Sequence, residues 1–285
     1  MKKEDIGEKG AFGAKEIREA LYKKGRLYAK RIKTGIIYGP ITSRRSGISL
    51  GISPVKGGFL CNFACIYCQY GAQIKERGVF AKPFEVKREL EKRLKEMKKK
   101  KEIIDSLTIC GPTEPTMNPE IRKIMDIVLQ LRKKYSPKAR TDFFTNASKI
   151  VDFSGIDEVY LKLDAGFKRI EKPKGKTTKE EIIENIIKAN SKPKVIQSIW
   201  FKGRDGNFTE KDISEYIKDI KRIAEKTKID LIQFYTLLYI PPKEKNIFPC
   251  NDKEMINLGK TIGKKTGVKI KVYLRPTRTG KKFRF

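Results

Sequence analysis

Leu107-Thr108-Ile109-Cys110, Gly111-Pro112-Thr113-Glu114-Pro115-Thr116-Met117, Asn118-Pro119, and then Ile121, Ile124, Met125 and Val128 at helical spacing: this stretch reads as strand, turn and capped amphipathic helix. A short β-branched run stopped by Gly and Pro suits a buried strand. Asn before Pro suits a helix N-terminus, because the side chain can accept an orphan N–H and Pro needs none. The same unit recurs outward in both directions. Upstream, Val86, Leu90, Leu94 and Met97 form a stripe on a segment otherwise made of Lys, Arg and Glu. Downstream, strands are expected at Asp142–Thr145, Val159–Leu163, Val195–Ile199 and Leu231–Tyr235, with a seventh apolar run from Val268 to Leu274. The helices between the last of these open on capping signals, Thr178 with Glu181, Thr209 with Asp212, and Asn251 with Glu254.

Strand–helix alternation of this kind implies a parallel sheet, since each crossover helix must bury its apolar stripe against it. Six or seven units imply an α/β barrel, closed or partly open, with active-site groups at the C-terminal ends of the strands. The economical division is a basic extension over residues 1–34, one barrel over residues 35–274 and a basic tail over residues 275–285. Ile17, Leu21 and Tyr28 share one face of a short helical stretch in the extension. From about 35 to 58, Gly- and Ser-rich punctuation such as Ser43-Arg44-Arg45-Ser46-Gly47 reads as loops and strand ends. The tail, with Phe283 and Phe285 among its basic residues, is either a phosphate- and base-gripping arm or a frayed end.

Composition narrows the chemistry. Of 285 residues, 39% are hydrophobic, enough for a full core and against a disordered or disulfide-stapled chain. Lys and Arg number 65 against 34 Asp and Glu, a formal charge of +31 that attracts polyanions such as RNA. The ordinary alternative is the lysine-rich surface of a thermophile, although ion-pair networks call for acids in comparable number. There is no histidine, which removes Ser-His-Asp triads, His-ligated zinc enzymes and histidine acid–base catalysis. Met1-Lys2-Lys3-Glu4-Asp5 carries acids where a signal peptide needs an apolar core, and no apolar run approaches membrane-spanning length, so a cytoplasmic protein with no membrane partner is expected.

Three of the five cysteines crowd into Cys61-Asn62-Phe63-Ala64-Cys65-Ile66-Tyr67-Cys68. Thiolates so close on one loop suit zinc or an iron–sulfur cluster in a reducing compartment. Zinc in a structural site needs four protein ligands, and the fourth would have to be Cys110 or Cys250, each far along the chain. A four-iron cluster on three cysteines leaves one iron open to a ligand.

The CxxxCxxC with Tyr67 before the last cysteine resembles the signature of the radical S-adenosylmethionine enzymes, and the resemblance extends over most of the chain. It implies a partial (β/α)6 or near-complete TIM-like barrel with an N-terminal helical extension. It also implies a [4Fe-4S] cluster on Cys61, Cys65 and Cys68, and S-adenosyl-L-methionine bound at the open iron. Gly111-Pro112-Thr113-Glu114-Pro115 resembles the family's GGEP element, with Pro112 and Thr113 departing from it, which implies that Gly111, Pro112, Thr113 and Glu114 receive the methionine ammonium. Thr145-Asn146-Ala147 resembles the family's TNG and Leu163-Asp164-Ala165 its SLDA. With Gln197, Ser198 and Tyr235 on later strands, they make Thr145, Asn146 and Asp164 candidates for the cofactor wall. Gln233 belongs with the same group, and alternation lets only some of them face inward. Lys162 shares the face of Asp164. Tyr38 to Ile52 resembles the lead-in of an iron–sulfur oxidoreductase branch related to the wyosine-synthesising enzymes, without the second cysteine cluster those enzymes carry. Cys110 is a hydrogen-atom donor or, more simply, a small core residue, and Cys250 an unpaired passenger.

The resulting expectation is reductive cleavage of S-adenosylmethionine to a 5'-deoxyadenosyl radical that modifies RNA, transfer RNA foremost, with an electron donor such as ferredoxin. Two alternatives stand beside it: the same chemistry on a protein, peptide or small metabolite, and a zinc-containing nucleic-acid-binding protein.

Overall fold

The computed structural model describes residues 35–69, 78–241 and 246–275. The expectations for residues 1–34, and for the tail beyond Arg275, lie outside the described residues. Eight strands form one curled sheet in chain order: β1 (Ile37–Ser43), β2 (Gly47–Ile52), β3 (Ser106–Ile109), β4 (Arg140–Thr145), β5 (Glu158–Lys162), β6 (Lys194–Ile199), β7 (Leu231–Tyr235) and β8 (Ile270–Tyr273). Strands β2 to β8 run parallel, and β1 pairs antiparallel with β2. The sheet is therefore a partial TIM-like barrel with one hairpin at its edge. Arg44, in the β1–β2 turn, donates to the carbonyls of Tyr273 (3.2 Å) and Leu274 (2.6 Å), so a side chain ties one end of the sheet to the other.

Among the described residues, five helices of ten residues or more cover the outside: α1 (Pro83–Lys99), α2 (Ile121–Tyr135), α3 (Lys179–Lys188), α4 (Glu210–Lys226) and α5 (Asp252–Thr266). Their starts follow the local chemistry. Thr178 with Glu181 and Asn251 with Glu254 form reciprocal caps, and Thr209 accepts the Asp212 N–H. Helix α2 begins two residues beyond the expected Pro119. Asn118 closes a single 3-10 turn (Pro115–Met117) instead, accepting from Glu120 N while its amide donates to the carbonyls of Pro54 and Ala81. The cap is spent on anchoring the β2 and β3 loops to one another.

Alternation sorts the two faces of the sheet. Leu107, Ile109, Phe143, Leu161, Ile196, Ile232 and Phe234 point outward into one core with Val86, Leu90, Ile124, Val128, Ile182 and Ile220 of the helices. The other face is polar: Ser49 and Thr108 share a 2.6 Å hydrogen bond, and Asp142, Lys162, Gln197 and Gln233 stand on neighbouring strands. The sheet thus turns a buried polar face inward and an apolar face toward the helices. Among the described residues no helix is long and apolar enough to cross a membrane.

Candidate active site

The three neighbouring cysteines lie on the loop after β2, at the C-terminal end of the parallel strands. Backbone contacts grip that loop from two sides. Leu60 N donates to Pro112 O (3.0 Å) after β3. On the β5 side, Ala64 N donates to Lys172 O, Ile66 N to Ile170 O and Lys174 N to Asn62 O, each at 2.9 Å. Phe63 is buried edge-on against Phe167, 5.9 Å between ring centres, which seats the middle of the loop in the core.

Cys61, Cys65 and Cys68 are partly buried and free of disulfides. Burial, aided by the charge of Glu114, pushes the Cys61 thiol up to about 12. Burial and then Glu171 raise Cys65 as well. Three thiols on one clamped loop are a soft donor set that would suit an iron–sulfur centre.

The loop after β3 supplies the second part. Gly111 has φ +148°, and a Cβ there would stand 2.8 Å from Ser53 Oγ, so a side chain is excluded. Glu114 is 2% exposed, yet its carboxylate accepts four hydrogen bonds: Thr116 N (3.1 Å), Thr116 Oγ1 (2.8 Å), Thr145 Oγ1 (2.7 Å) and Asn146 N (2.6 Å). Burial pushes this carboxyl up, and the donors pull it back. Asn146 Nδ2 in turn donates to Asn62 Oδ1 (2.9 Å), beside Cys61. Glu114, Thr145 and Asn146 thus come together as a network that positions the cysteine loop. Pro112 contributes its carbonyl to that loop, and the Thr113 hydroxyl turns back to Glu114 O.

The β5 side carries a buried charge cluster. Lys162 Nζ lies 2.6 Å from Asp164 Oδ1, which also accepts Ile199 N (2.8 Å). Burial opposes the lysine's charge, but Asp164 and Tyr235 outweigh it and raise its proton affinity. The same ammonium is 4.9 Å from the Tyr67 ring centre and 5.0 Å from that of Tyr235. Asp164 N donates to Glu171 Oε1 (3.2 Å), and burial drives the Glu171 carboxyl far upward. Asp164 Oδ2, Glu171 Oε2, Gln197 Nε2 and Gln233 Oε1 are buried and without a hydrogen-bond partner among the described residues. Orphaned polar atoms on the inner wall suit a polar ligand.

Ser198 requires a correction. With Gln197 facing inward, alternation turns Ser198 to the helix layer, where its hydroxyl donates to Leu163 O (2.6 Å) and pairs with Tyr216 of α4 (2.7 Å). It is therefore not on the cofactor wall. Cys110 is hydrogen bonded to Tyr38 (2.8 Å), and burial pushes its thiol up to about 11. Asn62 and Glu171 escape a sequence reading: Asn62 hides inside the cysteine motif, and Glu171 reaches Asp164 only through the turn Phe167–Ile170.

Residues 55–204 match the family model described as the Radical SAM superfamily, more than half of the chain. The chain belongs to the radical SAM superfamily. Membership in this family of enzymes implies S-adenosylmethionine and an iron–sulfur cluster, and the CxxxCxxC at Cys61, Cys65 and Cys68 falls inside the matched region. Among curated relatives, a protein named GTPase Obg from Brachyspira hyodysenteriae is 30% identical over 258 residues, 85% of this chain and 35% of that protein. A UPF0026 protein of Methanocaldococcus jannaschii is 30% identical over 203 residues, 65% of this chain and 60% of the relative. The radical SAM chain thus spans about a third and three fifths of these two relatives. Among solved structures, Streptococcus suis SuiB bound to S-adenosylmethionine superposes with a TM-score of 0.51 at 15% identity, over 76% of this chain and 48% of SuiB. A spore photoproduct lyase mutant does so with 0.54 at 11% identity, over 95% and 88%. At these identities the likeness is one of fold.

Proposed function

We propose that the protein holds a [4Fe-4S] cluster on Cys61, Cys65 and Cys68, cleaves S-adenosylmethionine reductively and modifies RNA, transfer RNA foremost. The observation that carries the radical chemistry is the set of three cysteines outside any disulfide, on one loop clamped at the mouth of a polar-lined partial barrel, within a chain of this family. When bound, the cluster and S-adenosylmethionine supply one-electron cleavage of the sulfonium and a 5'-deoxyadenosyl radical that takes a hydrogen atom from substrate.

The chain's own residues prepare that event. The Leu60–Pro112 and Asn62–Asn146 contacts hold the cysteines in place. Glu114 fixes the loop that faces them, and the orphaned Gln197, Gln233 and Asp164 atoms offer hydrogen bonds to cofactor and substrate. Supporting the RNA assignment is the charge of +31, a field that concentrates phosphate-bearing partners. An electron donor such as ferredoxin completes the proposal, in a cytoplasm where thiols stay reduced.

Anaerobically reconstituted protein is expected to be brown, to contain iron and sulfide, and to release methionine and 5'-deoxyadenosine when reduced. Colourless protein carrying only zinc would end the radical reading. Nucleoside mass spectrometry of RNA from cells with and without the gene tests the substrate. An unchanged profile would turn the assignment to a protein, peptide or small metabolite.

A further inference from the structure

Arg45 sits in the β1–β2 turn, and its guanidinium carbon lies 4.6 Å from the ring centre of Tyr235, 5.7 Å from Tyr273 and 5.9 Å from Phe144. Those rings stand on β7, β8 and β4, and β4 is separated from β7 by two strands. One side chain can meet all three only inside the space that the curled sheet encloses.

The main chain of this turn is fixed. Ser43 Oγ accepts from Arg45 N (3.2 Å) and Ser46 N (3.1 Å), Arg140 Nη2 donates to Arg45 O (2.8 Å), and Arg44 is tied to β8. Two of the three guanidinium nitrogens are not satisfied: Arg45 Nε and Nη1 are buried with no hydrogen-bond partner among the described residues. Nearby acids are engaged elsewhere. Asp142, two residues before Phe144 on the same face, takes Arg140 (2.7 Å), and Asp105, against Gly47 of the same turn, accepts Ile48 N (2.7 Å). A guanidinium keeps its charge at any working pH, so burying its N–H groups without an acceptor is a cost that a ligand would relieve. Aromatic faces hold such a group by cation–π contact and leave its N–H groups for an oxyanion.

We infer that Arg45 is the anion anchor of the substrate pocket, taking a phosphate or carboxylate carried by the molecule on which the radical acts. This rests on the radical reading for the site it serves. The cysteines follow the C-terminal end of β2 and Arg45 precedes its N-terminal end, so anchor and cluster loop address one interior from the two ends of the same six-residue strand, roughly 20 Å apart along it. Gln233, two residues before Tyr235 on the same face, and Gln197 beside it in register add orphaned polar atoms to that wall, at 1% and 3% exposure.

The test uses the reconstituted full chain at constant ionic strength with inorganic phosphate and benzoate as probes. Affinity is read from thermal stabilisation in the wild type, Arg45→Gln and Arg45→Lys. The expected result is binding of phosphate or of benzoate, whichever matches the substrate's acid group, weakened about tenfold or more in Arg45→Gln and less in Arg45→Lys. Should neither variant fold, the wild type alone decides: the bound anion must slow phenylglyoxal modification of Arg45, read by peptide mass spectrometry. Equal affinity in wild type and Arg45→Gln, no binding of either probe, or no protection of Arg45 would overturn the assignment. Cleavage of S-adenosylmethionine is measured in the same preparation. Anion binding without cleavage sinks the radical reading and leaves the anchor, whereas cleavage without an Arg45-dependent anion sinks the anchor alone.

Discussion

The Lys162 ammonium and the Asp164 carboxylate, two residues apart at the end of β5, form a 2.6 Å ion pair in which the aspartate is fully buried. Ile199 N shares the same carboxylate oxygen, so the pair also stitches β5 to the end of β6. Removing one partner leaves the other charge buried and uncompensated, a loss of about 3–5 kcal/mol. Lys162→Met and Asp164→Asn are each expected to lower the midpoint of denaturant unfolding without changing its slope. The double substitution should cost less than the sum of the two. Additive costs would show that the two side chains act independently.

Glu114 has a more exacting role than its position in a GGEP-like turn suggests. Its two oxygens accept four donors, and an amide has a single acceptor oxygen plus an NH2 that would confront N–H or O–H groups. Glu114→Gln should therefore cost about 1–3 kcal/mol of stability. Because Asn146 links Glu114 to Asn62, the same change should loosen the cysteine loop and weaken binding of S-adenosylmethionine, measured by calorimetry on the reconstituted enzyme. Wild-type stability and affinity in this variant would contradict the network.

Short-range chemistry made much of this architecture readable in advance. The β-branched runs, the caps at Thr178, Thr209 and Asn251 and the cysteine spacing are local, and each stands where its residues imply. What escaped depends on distance or parity. The β1–β2 hairpin hides in a Gly- and Ser-rich stretch because Ile41 and Ile48 face solvent, so it lacks the alternation of a half-buried strand. Gln197 and Ser198 are equally plausible as wall residues until the sheet decides which parity faces inward. Arg45 acquires its meaning only from rings that lie 99 to 228 residues later in the chain.

Glu91 of α1 predicts the acid limb of stability. A 2.6 Å hydrogen bond from the Tyr135 hydroxyl, with Lys134 and Lys95 nearby, pulls its carboxyl down from 4.5 to about 2 and ties α1 to α2. A carboxyl with a lower folded than unfolded pKa stabilises above its ordinary value and loses that contribution as pH falls through the folded one. The difference in stability between wild type and Glu91→Gln should thus be largest above pH 4.5 and close as the pH approaches about 2. A difference independent of pH would mean that the carboxylate's charge plays no part.

Gly51 and Tyr38 are direct cross-strand partners, and the tyrosine ring lies flat over the glycine. A Cβ on Gly51 would come within 2.2 Å of Tyr38 Cζ, far inside contact distance, although the glycine's own φ needs no left-handed freedom. The glycine therefore exists to admit the ring, which carries its hydroxyl to Cys110 at 2.8 Å in the barrel interior. Gly51→Ala is expected to cost about 1–3 kcal/mol through overpacking. It should also expose Cys110 to faster alkylation by displacing Tyr38. In a Tyr38→Ala background the alanine at position 51 has room, and most of its cost should vanish, a coupling that a double-mutant cycle reads directly. If Gly51→Ala destabilises equally in both backgrounds, the ring is not what excludes a side chain there, and the Tyr38–Cys110 contact loses its structural explanation.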